Sequence, residues 1–294
     1  MLRHGLTQVA GTMPGMFNQR GGYTVQDFYH DLRFWLECSR KTLFRTFIHQ
    51  GGRRSIFRGV GDEAFIYIPG TRTDRVLLVA HTDTVWDRRP SYPAPVRYEN
   101  GRYFSSVATQ GIGADDRAGC AMLWYLRDLG HSLLLTSGEE SGCRGSRWIM
   151  ENNPDIAESL QAHQFMIQFD RRGDSEFKCY SVGSSSFRSY IQKMTGYTEP
   201  DRLSRTDIVV LARDICAANF SIGYYHEHTV HEYLEMAEWE TTMSLMRSWL
   251  SGSQLPRHER VLARWGMATA AQDARQAVGD RGTRPFRQGT GQGR

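Results

Sequence analysis

The sequence predicts an α/β fold, namely a three-layer α/β/α sandwich built around a largely parallel, mixed central sheet. Apolar runs at 76–80, 133–135 and 165–169, the last interrupted by Gln168, have the composition of strands that are covered on both faces. A helical pattern at 117–129 separates the first two runs, which gives the strand–helix–strand alternation of a parallel sheet. Each run is followed directly by polar residues, so polar side chains are expected together at one edge of the sheet.

The elements before the first of these strands follow from periodicity and turn residues. Thr24 and Asp27 resemble a capping box, and the apolar residues from Val25 to Leu36 recur at helical spacing. This pattern predicts an opening amphipathic helix. Residues 56–69 are rich in apolar side chains and are interrupted by Gly59 and Gly61, a composition typical of a β-hairpin.

The later helices follow from apolar periodicity and glycine positions. The helix predicted at 117–129 ends at Gly130, a common residue just after a helix. Gly142 and Gly145 allow a tight turn from a strand into a further helix. A last helix is expected after Glu232. Its buried stripe is predicted to consist of Met236, Met243, Met246 and Trp249.

Length and composition indicate one enzyme-sized domain over residues 1–265, because 294 residues with 40% hydrophobic content bury one large core. Residues 266–294 are rich in Arg, Gly and Gln and are expected to form a disordered basic tail. The net charge of +4 lies largely in the arginines after Gly279, so neither a nucleic-acid nor a membrane partner is expected.

Five cysteines without C-x-x-C spacing predict free thiols in a reducing compartment. No stretch of the sequence has the length and apolar character of a signal peptide or a membrane span. Together these observations predict a cytoplasmic protein.

Five short polar segments carry the candidate chemistry: His81-Thr82-Asp83, Asp115-Asp116, Glu139-Glu140, Asp170 and His228. Neutral imidazole and carboxylate are the ligands of a zinc ion that keeps one position open for catalysis. Taken singly, each segment also fits an ordinary turn, helix cap, loop pair or surface ion pair. His226 and His231 flank His228, and spacing alone does not choose among these histidines. Taken together, and in this order at strand ends, the segments predict a two-metal hydrolase.

The motifs resemble those of the co-catalytic di-zinc exopeptidases, a superfamily with aminopeptidase, tripeptidase T-like and carboxypeptidase G-like members. The resemblance covers roughly residues 55–250. The matching segments are H-T-D-T-V at 81–85, G-A-D-D-R-A-G at 113–119, S-G-E-E-S-G at 137–142, F-D at 169–170 and G-Y-Y-H-E-H-T at 223–229.

The resemblance implies a ligand set for two divalent metal ions. Asp115 would bridge both ions, His81 and Asp170 would complete one site, and Glu140 and His228 would complete the other. Zinc is the expected metal, and cobalt or manganese would suit the same histidine and carboxylate ligands.

The resemblance also implies two catalytic residues that are not ligands. Glu139 would act as general base toward a water between the two metals. Asp83 would hold the second ring nitrogen of His81 and fix its tautomer. Asp116 would support the site without binding metal, after a cis peptide bond from Asp115.

Two assignments stay open at this point. His228 is favoured as the last ligand because the ligand of the family precedes a small residue and a glutamate follows four positions later, here Glu232, with His226 as the alternative. Thr206-Asp207 resembles a polar turn that lines the substrate pocket in the family. A simple helix N-cap explains the same two residues equally well.

The spacing between Asp170 and His228 bears on architecture. Fifty-seven residues lie between them, too few for the inserted lid and dimerisation domain of some members. We therefore expect a lidless, single-domain form and no lid-mediated dimer.

The expected function is that of an exopeptidase, most closely an aminopeptidase, that cleaves small peptides. One alternative substrate is an N-acyl amino acid, since the same two-metal site cleaves such amides. The other alternative is a catalytically silent relative that uses the fold for binding. The clustered carboxylates argue against it, because their mutual repulsion is costly without cations.

Overall fold

The computed structural model describes residues 32–201 and 206–260. The helices are α1 (described at 32–37), α2 (Arg40–Gly51), α3 (Ala114–Leu126), α4 (Arg144–Asn152), α5 (Pro154–Gln161), α6 (Ser185–Thr195), α7 (Asp207–Leu211) and α8 (Met236–Leu250). The strands are β1 (Ile56–Arg58), β2 (Phe65–Ile68), β3 (Leu77–His81), β4 (Val96–Glu99), β5 (Arg102–Ser105), β6 (Ser132–Thr136), β7 (Met166–Arg171), β8 (Phe177–Lys178), β9 (Ala217–Ser221), β10 (Tyr224–Tyr225) and β11 (Tyr233–Glu235).

A seven-stranded mixed sheet, in the order β1-β2-β6-β3-β7-β9-β8, forms the centre of the molecule. The four strands β6, β3, β7 and β9 are parallel, and β1, β2 and β8 are antiparallel to their neighbours. Every residue of β3 and β6 is buried, as expected of strands covered on both faces. The predicted fold class is confirmed.

Helices cover both faces of this sheet. Successive residues of β3 belong in turn to two different hydrophobic clusters, one on each face. Leu78 and Ala80 belong to one hydrophobic cluster, which also contains residues of α1, α2, α3, α6 and α8. Leu77 and Val79 belong to a second cluster, with residues of α4, α5 and α7. Because successive strand residues point to opposite faces, these two clusters are the two interfaces of an α/β/α sandwich.

The third parallel strand extends further than its apolar run predicted. β7 continues through Asp170 to Arg171, and its register against β9 shifts between Gln168 and Arg171. At this irregularity the Asn219 side chain replaces backbone pairing: its Oδ1 accepts from the Asp170 amide (2.8 Å) and its Nδ2 donates to the Asp170 carbonyl (2.6 Å). Asp170 is thus held at the carboxyl end of the strand by a local β-bulge.

A second, four-stranded antiparallel sheet has the order β10-β11-β5-β4. The sequence did not predict this sheet. Its pairing of β11 with β5 joins residues that are far apart in the chain, such as Tyr233 and Phe104. The connection between β10 and β11 carries the candidate ligand His228.

Most of the other local predictions are confirmed. The hairpin is the antiparallel pair β1–β2, and the predicted helix ends as α3 followed by a short 3-10 turn before Gly130, whose φ is 78°. The stripe at Met236, Met243 and Met246 is buried. All five cysteines are buried and free of disulfides.

Some predictions fall on residues outside the described ranges. The capping box at Thr24 and Asp27 and the tail at 266–294 lie there, so the boundaries of the single domain stay a prediction. The lidless form also stays a prediction. Within the ranges 32–201 and 206–260, none of the helices has the length and apolar character needed to span a membrane.

Two buried histidines are hydrogen-bonded to backbone groups and are held in the neutral form by burial. His131 Nδ1 accepts a hydrogen bond from the Val76 amide (3.1 Å), and its Nε2–H donates to the Leu250 carbonyl (2.9 Å). The Nδ1–H of His163 donates to the Leu160 carbonyl (2.9 Å). Burial lowers the pKa of each histidine to about 4.

The free energy of unfolding is therefore expected to fall as the pH drops from 8 to 5. The folded pKa of about 4 lies below the ordinary histidine value of about 6.5, so the unfolded chain binds more protons between these values. The stabilisation is complete above that ordinary value and is lost toward the folded one. Each histidine contributes about 2 kcal/mol to the loss at pH 5.

The variant His163→Asn, followed by urea unfolding at both pH values, measures this contribution. The difference in unfolding free energy between pH 8 and pH 5 should shrink by about 2 kcal/mol relative to the unaltered chain. An unchanged difference would mean that His163 is not neutral in the folded protein.

Candidate metal centre

Five candidate ligands meet at the carboxyl ends of the parallel strands. His81 is the last residue of β3, Asp170 lies at the bulge of β7, and Glu140 follows β6. Asp115 lies at the start of α3, where its backbone is not helical. His228 reaches the same place from the β10–β11 connection. Parallel strands present their carboxyl ends at one edge, which explains why distant positions converge.

The five side chains form two groups that share one residue. His81 Nε2 lies 3.0 Å from Asp115 Oδ1 and 3.5 Å from Asp170 Oδ1. His228 Nε2 lies 3.2 Å from Asp115 Oδ2 and 3.0 Å from Glu140 Oε1. Within each group the potential ligand atoms all lie within 4.8 Å of one another. Each oxygen of Asp115 thus faces a different histidine.

The donor set fits divalent cations. Burial raises the pKa of Asp170 and of Glu140, and repulsion from the nearby Asp115 carboxylate adds to both shifts. Burial lowers the pKa of His81, but the Asp170, Asp115 and Asp83 carboxylates together outweigh this effect and raise it; hydrogen bonds that His228 donates to Asp115 and Glu140 raise the pKa of His228 to about 11. In the metal-free chain, protons on the imidazoles therefore balance the carboxylates. Cations bound by neutral imidazole and carboxylate would take the place of these protons.

His228 rather than His226 is the histidine that the structure brings to the centre. The ring of His226 instead lies beside Tyr233, with 5.8 Å between ring centroids. The two histidines are two positions apart in the same turn. The placement of that turn over Asp115 and Glu140 decides which of them reaches these carboxylates.

Glu139 lies beside the two groups but belongs to neither. Burial raises the pKa of its carboxyl to about 9, and the nearby Asp170 adds to the shift. The Cys143 thiol lies 3.8 Å from Glu139 Oε1. A carboxylate in this place needs cations nearby to be ionised at neutral pH.

Asp83 holds the centre in a different way from the one expected. His81 Nδ1–H donates to the backbone carbonyl of Asp83 (2.9 Å), and the Asp83 carboxylate is farther away, at 3.5 Å. The two carboxylate oxygens accept hydrogen bonds from the amides of Glu139 and Glu140 (both 3.2 Å). Asp83 thus turns Nε2 of His81 toward the other ligands through its backbone, while its side chain fixes the Glu139-Glu140 turn.

Asp116 contacts the backbone around the centre and is in neither group. Its Oδ2 accepts from the His81 amide (3.1 Å), and its Oδ1 accepts from the Gly119 amide (3.0 Å). The Asp115–Asp116 peptide bond is cis. The side chain therefore ties the end of β3 to the start of α3.

Glu232 is a buried carboxylate whose role the sequence did not reveal. It accepts hydrogen bonds from the amides of Gly113 (2.8 Å) and Asp115 (3.1 Å) and from Trp86 Nε1 (3.1 Å). Burial raises its pKa to about 7. The sequence shows that Glu232 lies four residues after His228. The hydrogen bonds that it accepts from the amides of Gly113 and Asp115 depend on the fold.

Thr206 and Asp207 are buried, and the threonine side chain does not cap a helix. Their exposed fractions are 2% and 0%. Thr206 stands at the N-cap of α7, yet its hydroxyl makes no capping hydrogen bond and donates to Asp170 Oδ2 (2.7 Å). The Asp207 carboxylate accepts from the hydroxyls of Thr136 and Ser146. Thr206 thus takes the N-cap position that one of the two sequence interpretations expected, without a capping hydrogen bond from its side chain, and the interpretation as a pocket-lining turn stays a prediction.

Comparison with known proteins supports the resemblance to the co-catalytic exopeptidases. A model of peptidase family M28 matches residues 65–206, just under half of the chain; the match includes Asp115 and ends before His228. The resemblance to the co-catalytic exopeptidases is thereby confirmed. No curated protein sequence matches the chain.

Several solved structures share the fold. The aminopeptidase PepT of Bacillus cereus is 13% identical, with a TM-score of 0.58, over 78% of this chain and 98% of that one. A tripeptidase of Staphylococcus aureus is 11% identical, with a TM-score of 0.59, over 78% and 99%. The LapA aminopeptidase of Legionella pneumophila is 14% identical, with a TM-score of 0.52, over 79% and 72%.

The family model supports a metallopeptidase as the class of the protein, and the solved structures share its fold. The particular family whose model matches is peptidase family M28, over 65–206. Metal-dependent hydrolysis of peptide bonds is therefore the supported type of activity.

Proposed function

We propose that the protein is a metal-dependent exopeptidase, and specifically an aminopeptidase, that acts on small peptides. One observation carries the proposal: two groups of potential ligands share Asp115, with one oxygen of this residue facing each group. A carboxylate shared in this way would let the chain hold two cations side by side, as two-metal hydrolysis requires. Zinc is the proposed metal, because both groups combine imidazole nitrogen with carboxylate oxygen.

The ligands in this proposal are His81 and Asp170 for one ion, Glu140 and His228 for the other, and Asp115 for both. When bound, two divalent cations supply Lewis-acid polarisation of a carbonyl and increase the acidity of water. Asp83 keeps the Nδ1 proton of His81 on a backbone carbonyl, so that Nε2 is free to act as ligand.

Glu139 is the proposed general base. Its carboxylate stands next to the ligands without belonging to either group, so it is free to take a proton from the attacking water and return it to the departing amine. Its raised pKa in the metal-free chain suits this role, because neighbouring cations would bring the pKa down toward neutral pH.

We also propose that catalysis takes place in a single domain at 1–265 without a lid. The described chain between β7 and β10 consists of short elements, namely β8, α6, α7 and β9. The substrate would then reach the centre from the exposed side of His228, which is 49% exposed.

The first experiment measures metal content and hydrolysis together. Purified protein is analysed for bound metal and assayed on a panel of dipeptides, each paired with its N-acetylated form and with the corresponding N-acetyl amino acid, before and after chelation. We expect about two ions per chain and cleavage of the free dipeptides only, lost on chelation and restored by zinc.

Other outcomes of this experiment are equally informative. Preferential cleavage of the N-acetyl amino acids would replace the aminopeptidase by an amidohydrolase that uses the same centre. If the protein binds no metal and cleaves no substrate after addition of zinc, cobalt or manganese, the remaining alternative is a catalytically silent protein that uses the fold for binding.

A further inference from the structure

Thr206 contacts a candidate ligand without being one, and it lies outside the motifs that define the centre. We propose that Thr206 is a positioning residue that orients Asp170 and thereby sets the affinity for the ion on the His81 side of the centre. This inference rests on the proposed function, because it assumes that Asp170 binds a metal ion.

The two oxygens of Asp170 have different surroundings. Oδ2 accepts hydrogen bonds from Thr206 Oγ1 (2.7 Å) and from Gln168 Nε2 (3.0 Å). Oδ1 lies 3.5 Å from His81 Nε2 and accepts a longer hydrogen bond from the Tyr224 hydroxyl (3.3 Å). Two short donors thus occupy the oxygen that faces away from His81, and they leave Oδ1 as the oxygen directed into the centre.

The Thr206 hydroxyl has one hydrogen to donate, and the fold directs it to Asp170. At the start of a helix, a threonine side chain ordinarily accepts from a backbone amide of the first turn. Thr206 makes no such bond. The side chain therefore holds a carboxylate 36 positions away instead of supporting its own helix.

The turn that carries Thr206 is itself anchored on both sides of the centre. The next residue, Asp207, accepts from the hydroxyls of Thr136 and Ser146, which lie before and after the Glu139-Glu140 turn. The amide of Ile208 donates to Gln168 Oε1 (3.2 Å), while Nε2 of the same glutamine donates to Asp170. Thr206 is thus fixed relative to Asp170 by contacts it does not make itself.

This arrangement gives Asp170 a defined orientation before metal binds. Removal of one outer hydrogen bond to a ligand typically weakens metal binding 10- to 100-fold. Because Thr206 contacts Asp170 and does not contact Glu140 or His228, the loss should fall on one ion only.

The test uses three variants of the full chain and zinc alone as the probe. Thr206→Val keeps the size of the side chain and removes its donor, whereas Thr206→Ser keeps the donor. Thr242→Val is the matched control, because Thr242 is equally buried and its hydroxyl is 2.7 Å from Tyr197, away from the ligands. Stepwise zinc affinities are measured by competition with a chromophoric chelator, and thermal unfolding is followed in parallel.

We expect Thr206→Val to lower the affinity for one of the two zinc ions about tenfold or more and to leave the affinity for the second unchanged. Thr206→Ser should restore the affinity, and Thr242→Val should leave both ions as they are. Unchanged affinities in Thr206→Val, equal weakening of both ions, or failure of Thr206→Ser to restore binding would each overturn the inference. If the unaltered chain binds two ions and cleaves peptides, such a result leaves the proposed function standing; absence of zinc binding in the unaltered chain would overturn both.

Discussion

Replacement of Glu139 by Gln is expected to lower kcat about a thousandfold while two metal ions remain bound. The amide keeps the shape of the side chain but has no basic oxygen to take a proton from water, and a positioned general base contributes about 10²- to 10⁴-fold to a rate. Glu139 belongs to neither ligand group, so its loss should leave the ligand set complete. Steady-state kinetics on a cleaved dipeptide and metal analysis of the same sample provide the two measurements.

The neighbouring residue supplies the control for this experiment. Glu140→Gln changes the same side chain by the same atoms one position further on, but Glu140 lies 3.0 Å from His228 within a ligand group. This variant should lose one metal ion as well as activity. Equal metal loss in both variants would show that Glu139 is also a ligand, and full activity of Glu139→Gln would remove it from the mechanism.

The second large effect is expected from His228→Ala, which should reduce bound metal from two ions to about one and abolish cleavage at ordinary zinc concentrations. His228 carries the imidazole nitrogen of its candidate ligand group, and the remaining members of that group are the shared Asp115 and Glu140. A zinc ion that loses its imidazole keeps only carboxylate oxygens, a set that suits harder cations better. Metal analysis after dialysis gives the stoichiometry, and added zinc tests whether activity returns.

His226→Ala is the matched control, since the two histidines lie in the same turn. His226 contacts Tyr233 instead of the ligands, so its removal should leave two ions bound and kcat within a few-fold of the unaltered chain. Loss of one ion in His226→Ala, with His228→Ala unaffected, would reverse the assignment.

The central sheet could be predicted because its signal is local. The apolar runs predicted for β3 and β6 are buried at every position. Successive side chains of β3 pack against opposite helix layers, as the strand geometry requires. The second sheet could not be predicted in this way. β4 has three exposed residues out of four, and β5 pairs with β11 through contacts of large sequence separation. Neither feature leaves a periodic pattern in the sequence.

The candidate metal centre could likewise be predicted only in part. The motifs identified the five residues that the structure brings together, because the carboxyl ends of parallel strands converge wherever the sheet forms. The supporting hydrogen bonds were not predictable. That Thr206 donates to Asp170, or that Asp83 uses its carbonyl toward His81, depends on register and side-chain direction. Such contacts have no fixed spacing along the chain.

The unequal exposure of the two candidate histidines has a kinetic consequence. The side chain of His81 is 1% exposed, and that of His228 is 49% exposed. An ion held on the His81 side would lie among side chains that are at most 9% exposed, whereas an ion beside His228 would exchange with solvent more readily. The two ions would then differ in residence time, and the lifetime of the active enzyme in metal-poor surroundings would be that of its outer ion.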